Sequence, residues 1–348
     1  MQLFERAAEL REVGAGWLVW ENAFHALEQI GLGEKIRALG VPNAGSALRS
    51  WRGETLIGID SRDMAPRLVV VHRAELLALL RAALPDDVIS LGAAVSGVAQ
   101  NSSGVTLTLA DGRSVHGDIL IGADGLHSLV RTSLFGQEPP RYAGYTSWRG
   151  VVPFDGSGLV ACETFGQGAR FGMAPLRGGR VYWYSTRSAP MGTLRPASGW
   201  KGALLEQFRG WHAPIEALIA ATDERQILQL DIYDRPPLRH WSDSRITLLG
   251  DAAHPMTPNL GQGACQALED AVVLAQHLRT AVDPITALRA YATARIPCTT
   301  TIVHLTRRMG ALGQWANPLA CAVRDTLFKQ VVSHLQERQL ARIIGHRV

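Results

Sequence analysis

The stretch RITLLGDAAHPMTPNLGQGACQALEDA, residues 245–271, leaves few folds open. Its opening apolar run reads as a buried strand that ends in a loop. Such a strand delivers Asp251 to its carboxyl end, where open α/β sheets bind ligands. Pro255 and Pro258 then fix φ and stiffen the loop. Gly261-Gln262-Gly263 strips the backbone of side chains at the start of an apolar-periodic helix, read over 264–278. A helix N-terminus offers free N–H groups and the positive end of a dipole, both suited to negative charge. A carboxylate that can accept from hydroxyls thus precedes an anion-stabilising amide cluster by about ten residues.

The chain of 348 residues is long enough for about two domains whose cores need no staples. Its 35 glycines exceed the usual share of roughly 7 %. They cluster in short turns, which suggests backbone packed closely against something. Cys162, Cys265, Cys298 and Cys321 form no CxxC pair and fit reduced thiols, so the expected location is cytoplasmic. Net charge is +4, and the segment after Thr301 carries seven basic residues against Asp325 and Glu337. These charges fall at helical spacing without interleaved aromatics, which argues for a solvated face and against nucleic acid. There is no signal peptide, no apolar run of membrane-spanning length and no metal-ligand cluster.

Residues 21–40 read as two short helices broken near Gly31-Leu32-Gly33, 48–60 as a hairpin, and 72–84 as an amphipathic helix with Arg73 near its start. Residues 95–125 read as strands and tight turns, followed by helix at 126–135. From Tyr142 to Tyr233, short aromatic and β-branched runs predict a mostly antiparallel sheet, interrupted by helices at 200–209 and 214–221. After Ile285 the pattern is helical, broken at Pro297 and at Asn317-Pro318. The expected fold class is α/β: a first domain over 1–140, a β-rich domain over 141–235 that also takes the hairpin within 48–70, and a return to the first domain over 236–348 with C-terminal helices.

Three motifs carry a resemblance. The 250–271 stretch, GDILIGADGLHSLVR at 117–131, and the order of YTSWRGVV, FGMAPLRGGRVYWY and YATARIPCT together resemble the single-component FAD-dependent aromatic monooxygenases, the family of salicylate and urate hydroxylases. The resemblance runs from Leu3 to about Arg324 and implies a Rossmann-like FAD-binding domain interrupted by a substrate domain. It implies that Asp251 holds the ribityl chain of FAD, that Pro258 shapes the cavity, and that Gly261, Gln262, Gly263 and Ala264 face the flavin pyrimidine edge. Asp124 and its Gly125 turn would approach the pyrophosphate or nicotinamide, and Arg73 the FAD phosphates or ribityl. FERAAELREVGAG matches the end of the family's second strand, with Glu5 as ribose ligand, Arg6 beside it, and Gly14-Ala15-Gly16 near the flavin.

Members of that family begin with a strand, a G-x-G-x-x-G turn and a helix that hold the pyrophosphate. No G-x-G-x-x-G occurs in this sequence. The resemblance therefore implies that about 30 residues are missing ahead of Met1, through a start codon placed late or a degenerate gene.

The implied activity is hydroxylation of a small aromatic or heteroaromatic substrate with NADH or NADPH and O2, through a flavin C4a-hydroperoxide. A homodimer is compatible with it, and no residue is assigned as general acid or base. On the β-rich segment Arg170, Tyr182 and Tyr184 sit on neighbouring strands, and an arginine with aromatics suits a flat anionic substrate. Arg170 and Tyr182 fall where urate hydroxylases place substrate contacts. Those enzymes carry an aspartate where this chain has Asn259, which argues against urate. His254 lies beside the expected flavin site and receives no proton-transfer role. The alternatives are a non-catalytic remnant serving as an interaction module, and an epoxidase or reductase on the same scaffold.

Overall fold

The computed structural model describes residues 1–10, 15–42, 45–60, 68–330 and 345–346. The chain starts with β1 (Leu3–Phe4), β2 (Gly16–Trp20), helices α1 (Glu21–Gln29) and α2 (Gly33–Leu39), and β3 (Val41–Pro42). The hairpin β4 (Gly45–Ser50) and β5 (Thr55–Asp60) follows, then β6 (Leu68–His72) and α3 (Arg73–Ala82). Next come β7 (Ile89–Ser90), β8 (Val95–Gln100), β9 (Val105–Leu109), β10 (Ser114–Gly117), β11 (Leu120–Gly122) and α4 (Leu129–Phe135). The β-rich stretch holds β12 (Arg141–Pro153), β13 (Ala161–Phe165), β14 (Ala169–Leu176), β15 (Arg180–Ser188), α5 (Gly199–Gln207), α6 (Ile215–Ala221) and β16 (Leu228–Asp234). The chain then returns through β17 (Ser242–Asp243) and β18 (Ile246–Leu248) to α7 (Gly263–Thr280), α8 (Pro284–Gly313) and α9 (Pro318–Gln330).

Parallel pairing joins β1 to β7 and β11 to β18, the signature of an α/β layer. The largest sheet has seven strands in the order β16-β12-β15-β14-β13-β4-β5, so the β4–β5 hairpin joins the β-rich stretch. Its one parallel pair is β13 with β4; the other five pairings are antiparallel. Period-two alternation gives this sheet two unlike faces. Trp148, Phe171, Met173, Val181 and Trp183 point to one side and form a core with Trp200, Leu204, Phe208, Ile215 and Leu218 of α5, α6 and the turn between them. The neighbouring positions point to the other side.

Both expected short helices of 21–40 form, and Ile30-Gly31-Leu32 separates them. One expectation is corrected. Pro297 does not break the last long helix; α8 runs through it from Pro284 to Gly313. A proline removes a single N–H donor, here the partner of the Thr293 carbonyl, and the helix continues on either side of it. Tertiary contacts then hold the helix. The chain does break before Pro318. All four cysteines are free thiols, and burial pushes the Cys265 thiol up to about 12.

A buried polar network ties α1, α7 and α8 together behind the loop that carries Asp251. Arg295 of α8 lies between two consecutive acids of α7. Its Nε donates to Asp270 at 2.7 Å, and its Nη1 donates to Glu269 at 2.5 Å. Asp270 also accepts from the Gly250 backbone N–H at 3.1 Å and contacts His254 Nε2 at 2.6 Å. Glu269 accepts from Asn22 of α1, Gln266 and His346. Burial alone would raise the pKa of either acid. For Asp270 the charge and hydrogen bond of His254, then those of Arg295, outweigh it and hold the pKa low. For Glu269 the His346 hydrogen bond and the Arg295 charge do the same.

Acids with lowered pKa contribute stability that is present above their ordinary range and lost as pH falls through the lowered values. Arg295→Met leaves both carboxylates buried without their cation, and we expect it to cost about 3–5 kcal/mol at neutral pH. The loss should shrink as acid protonates the stranded carboxylates. Denaturant unfolding from pH 7 to pH 4 measures this; a loss independent of pH would contradict it.

Candidate functional site

The β18 strand is buried along its length and opens into a turn of unusual backbone. Gly250 has φ +62°, and a short 3-10 turn, Gly250–Ala252, presents Asp251. Pro258 begins a second 3-10 turn that ends at Gly261, with φ +61°. Both glycines occupy the left-handed region that L side chains resist. No side chain caps the start of α7, and its first turn holds no acid, so the N-terminal N–H groups stay available.

Asp251 sits on the first of these turns. Its side chain reaches solvent, yet protein crowds the carboxylate on most sides, and that burial pushes its pKa up against the opposing charges of His254 and Arg73. No protein donor bonds to it among the described residues. A Cβ on Gly263 would lie 3.7 Å from Asp251 Oδ1, which places the carboxylate against the start of α7. Arg73 is exposed at the head of α3, and its backbone N–H bonds to the Ala15 carbonyl at 2.9 Å. Its guanidinium has no hydrogen-bond or ion-pair partner among the described residues.

The other expected cofactor residues differ in how far their side chains are already engaged. Glu5 accepts the Ala7 N–H at 2.8 Å, while Arg6 is exposed. Gly16 begins β2 so close to the sheet that a Cβ there would collide with the Tyr182 ring. Gly14 lies outside the described residues. Asp124 spends its carboxylate on the start of α4, accepting from Ser128 Oγ and from the N–H groups of Leu129 (2.7 Å) and Val130 (3.2 Å). Gln262 turns its amide inward, where Oε1 accepts from Asn22 and Gln266, both at 3.1 Å. Pro258 is exposed, while the Gly261, Gly263 and Ala264 backbone is half-buried. His254 is buried with its Nε2 on Asp270.

Two residues missed as site determinants position the loop. Arg131 of α4 is buried and donates from Nη1 to the carbonyls of Ala252 (3.2 Å) and Ala253 (3.1 Å), clamping the Asp251 turn. Burial and the nearby Arg235 charge lower its pKa to about 10. Asp270 does the same from behind. The available signal was the acidic pair Glu269-Asp270 inside an otherwise apolar helix, since unpaired charges do not occupy such a face.

On the polar face of the large sheet, the structure brings Arg170, Tyr182 and Tyr184 together. Arg170 is buried, and its donors are well used: Nε to Thr186 Oγ1 at 3.2 Å, Nη1 to Glu163 at 2.9 Å, and Nη2 to Asn259 Oδ1 at 2.7 Å. Asn259 in turn donates to the Thr306 carbonyl at 2.8 Å, so one amide links the loop after Asp251, the sheet and α8. Tyr182 is buried against Ala15, Val70 and Ala174. Tyr184 is half-buried over Gly172, whose missing side chain makes room for the ring. Burial, with the Glu163 charge beside it, pushes the Tyr184 phenol well up.

Among the described residues no helix is long and apolar enough to cross a membrane, and no metal-ligating group of three or more side chains gathers. Residues 3–306 match the family model described as FAD binding domain. The chain is 41 % identical over 339 residues to the aurachin C monooxygenase/isomerase of Stigmatella aurantiaca, covering 95 % of this chain and 88 % of that protein. It is 34 % identical to an FAD-dependent urate hydroxylase of Klebsiella pneumoniae, over 84 % of this chain and 79 % of the relative. The crystal structure of Klebsiella pneumoniae HpxO with FAD and uric acid superposes with a TM-score of 0.88 at 30 % identity, covering 98 % of this chain and 89 % of the other. Fold, motif order and these likenesses agree: the chain belongs to the FAD-binding-domain family of FAD-dependent monooxygenases.

Proposed function

We propose that this protein binds FAD in the Asp251 cleft and uses NAD(P)H and O2 to hydroxylate a small aromatic or heteroaromatic ring. The overall balance is NAD(P)H, H⁺, O2 and Ar–H giving NAD(P)⁺, water and Ar–OH. In this reading residues 1–140 and 236–348 hold the cofactor, and 141–235 with the hairpin within 48–70 supplies the substrate wall. The carrying observation is a carboxylate without a protein hydrogen-bond donor among the described residues, Asp251, set against an uncapped helix start. Such a pair fits a ligand that offers hydroxyl donors at one point and negative charge at the next. FAD does so through its ribityl chain and its pyrimidine edge and phosphates.

FAD supplies the redox chemistry when bound; the residues here bind, orient and exclude water. Asp251 and Glu5 accept from hydroxyls. Arg73 and the amides of Gly261 to Ala264 offset negative charge, with Gln262 contributing through its backbone because its side chain is engaged. Arg6 and the Asp124-Gly125 turn flank the cleft, and Pro258 shapes it. Tyr182, Tyr184 and Arg170 form the facing wall. A small heteroaromatic substrate is supported by the uric acid bound to HpxO, whose structure this chain closely matches. Asn259 is neutral and already bonded to Arg170, which favours a ring other than urate.

We expect Asp251→Asn to weaken FAD binding by about 1.5–3 kcal/mol, roughly tenfold to a hundredfold, since a charged acceptor becomes neutral. Titrating flavin fluorescence measures it. The ionised carboxylate is the better acceptor, so FAD affinity of the native chain should fall as pH drops through the raised Asp251 pKa, beginning above the ordinary aspartate value of 3.8. In Asp251→Asn this acid limb should disappear. The loaded protein should oxidise NADH or NADPH faster with a suitable aromatic present and yield its hydroxylated product. Oxidation that produces only hydrogen peroxide, across a panel of phenols and N-heterocycles, would refute the hydroxylase assignment.

A further inference from the structure

The polar face of the seven-stranded sheet is built in rows, and the rows differ in what covers them. Strand register aligns Ser147, Thr186, Arg170 and Phe165 in one row, all buried beside α8. Val151, Tyr182, Ala174 and Ala161 form a second row, packed on Ala15 and Val70. Between them runs a third: Arg149 on β12, Tyr184 on β15, Gly172 on β14 and Glu163 on β13. Its three side chains are half-buried, and Gly172 leaves a gap that the Tyr184 ring lies over. This middle row lies half-buried between two more deeply buried ones.

Of the sheet's cations on this face, Arg180 is paired with Glu75, while Arg170 and Arg149 adjoin the middle row and are not equivalent. Arg170 is closed: three of its donors go to Thr186, Glu163 and Asn259, and its charge is neutralised by Glu163 at 2.9 Å. Arg149 is open. Among the described residues no carboxylate, carbonyl or hydroxyl bonds to it, and its Nε is shielded from solvent with no acceptor. Its charge is felt by the Tyr182 phenol, where it opposes the effect of burial. An unsatisfied, shielded donor costs about 1–3 kcal/mol, which a ligand oxygen would recover.

We propose that Arg149 is the substrate-binding cation of this site. It takes an acceptor oxygen carried by the substrate ring, a carbonyl, phenolate or carboxylate, while the ring lies over Tyr184. The proposal rests on the monooxygenase reading, and it moves the role of oxygen recognition from Arg170 to Arg149. The guanidinium binds and orients; it takes no part in proton or electron transfer. A fixed oxygen in line with Tyr184 would present one ring edge to the cofactor side and so set the position that reacts.

Matched probe pairs test this: uric acid against purine, and 1-naphthol against naphthalene. Binding is read by calorimetry on the chain without cofactor and by flavin absorbance change on the FAD-loaded chain. The native protein should prefer the oxygenated member of at least one pair. Arg149→Met should erase that preference, weakening the oxygenated probe about tenfold to a hundredfold while leaving its partner and FAD affinity unchanged and the unfolding midpoint no lower, since the change removes an unsatisfied donor. Arg149→Lys should restore part of it. A purely structural role would weaken both members alike, and that result would overturn the proposal. So would a native chain with no oxygen preference in either pair, or a preference that survives Arg149→Met but is lost in the paired change Arg170→Met with Glu163→Leu. Failure to load FAD would count against the monooxygenase reading instead, because the calorimetric comparison stands without the cofactor.

Discussion

One guanidinium between two adjacent carboxylates holds the functional end of this molecule in place. Arg295 bonds both Glu269 and Asp270, and Asp270 uses its remaining capacity on the Gly250 N–H and His254, at either end of the turn that presents Asp251. All four carboxylate oxygens of the acidic pair have donors. That satisfaction is required, since a buried ion pair repays its desolvation only when its lone pairs are met. The consequence is a division between two sides of one loop. Its back is fixed by protein, with Arg131 clamping the carbonyls of Ala252 and Ala253. Its front, the Asp251 carboxylate and the uncapped start of α7, has no side-chain partner among the described residues.

The sheet facing that loop obeys the same logic. One side is an aromatic core of Trp148, Phe171 and Trp183 under α5 and α6, which makes the wall rigid. On the other side the buried charge is again paired, Arg170 with Glu163, and Asn259 carries the connection across to the loop. A change at Asn259 would therefore reach the loop, the sheet and α8 together. Arg307 adds a second tie, from α8 to Asp234 of β16 at 2.8 Å.

Much of the fold was legible because its signals are local. The helix break at Gly31-Leu32-Gly33, the 48–60 hairpin and the α7 helix each follow from spacing within a dozen residues, and all three form. Pro297 misled because a proline is a local breaker, whereas α8 persists on contacts with α7 and the sheet that no local window contains. At the site, residue types were readable but their commitments were not. Asp124 is bound up in capping α4, Gln262 faces inward, and Arg170 is neutralised, each by a partner whose identity depends on how separate elements meet.

The sequence by itself determined the α/β class, the insertion of an antiparallel sheet, and the Asp251–Gly261–Ala264 unit, because periodicity, proline and glycine act over short distances and their effect is written in the residues themselves. Only the tertiary structure decided which charges are spent and which remain free. Arg149 and Arg170 are indistinguishable as letters, and both point to the same face of one sheet. One meets Glu163 and Asn259 across strand and loop; the other has no hydrogen-bond partner among the described residues. Pairing depends on distances between segments far apart in the chain, and those distances exist only once it has folded.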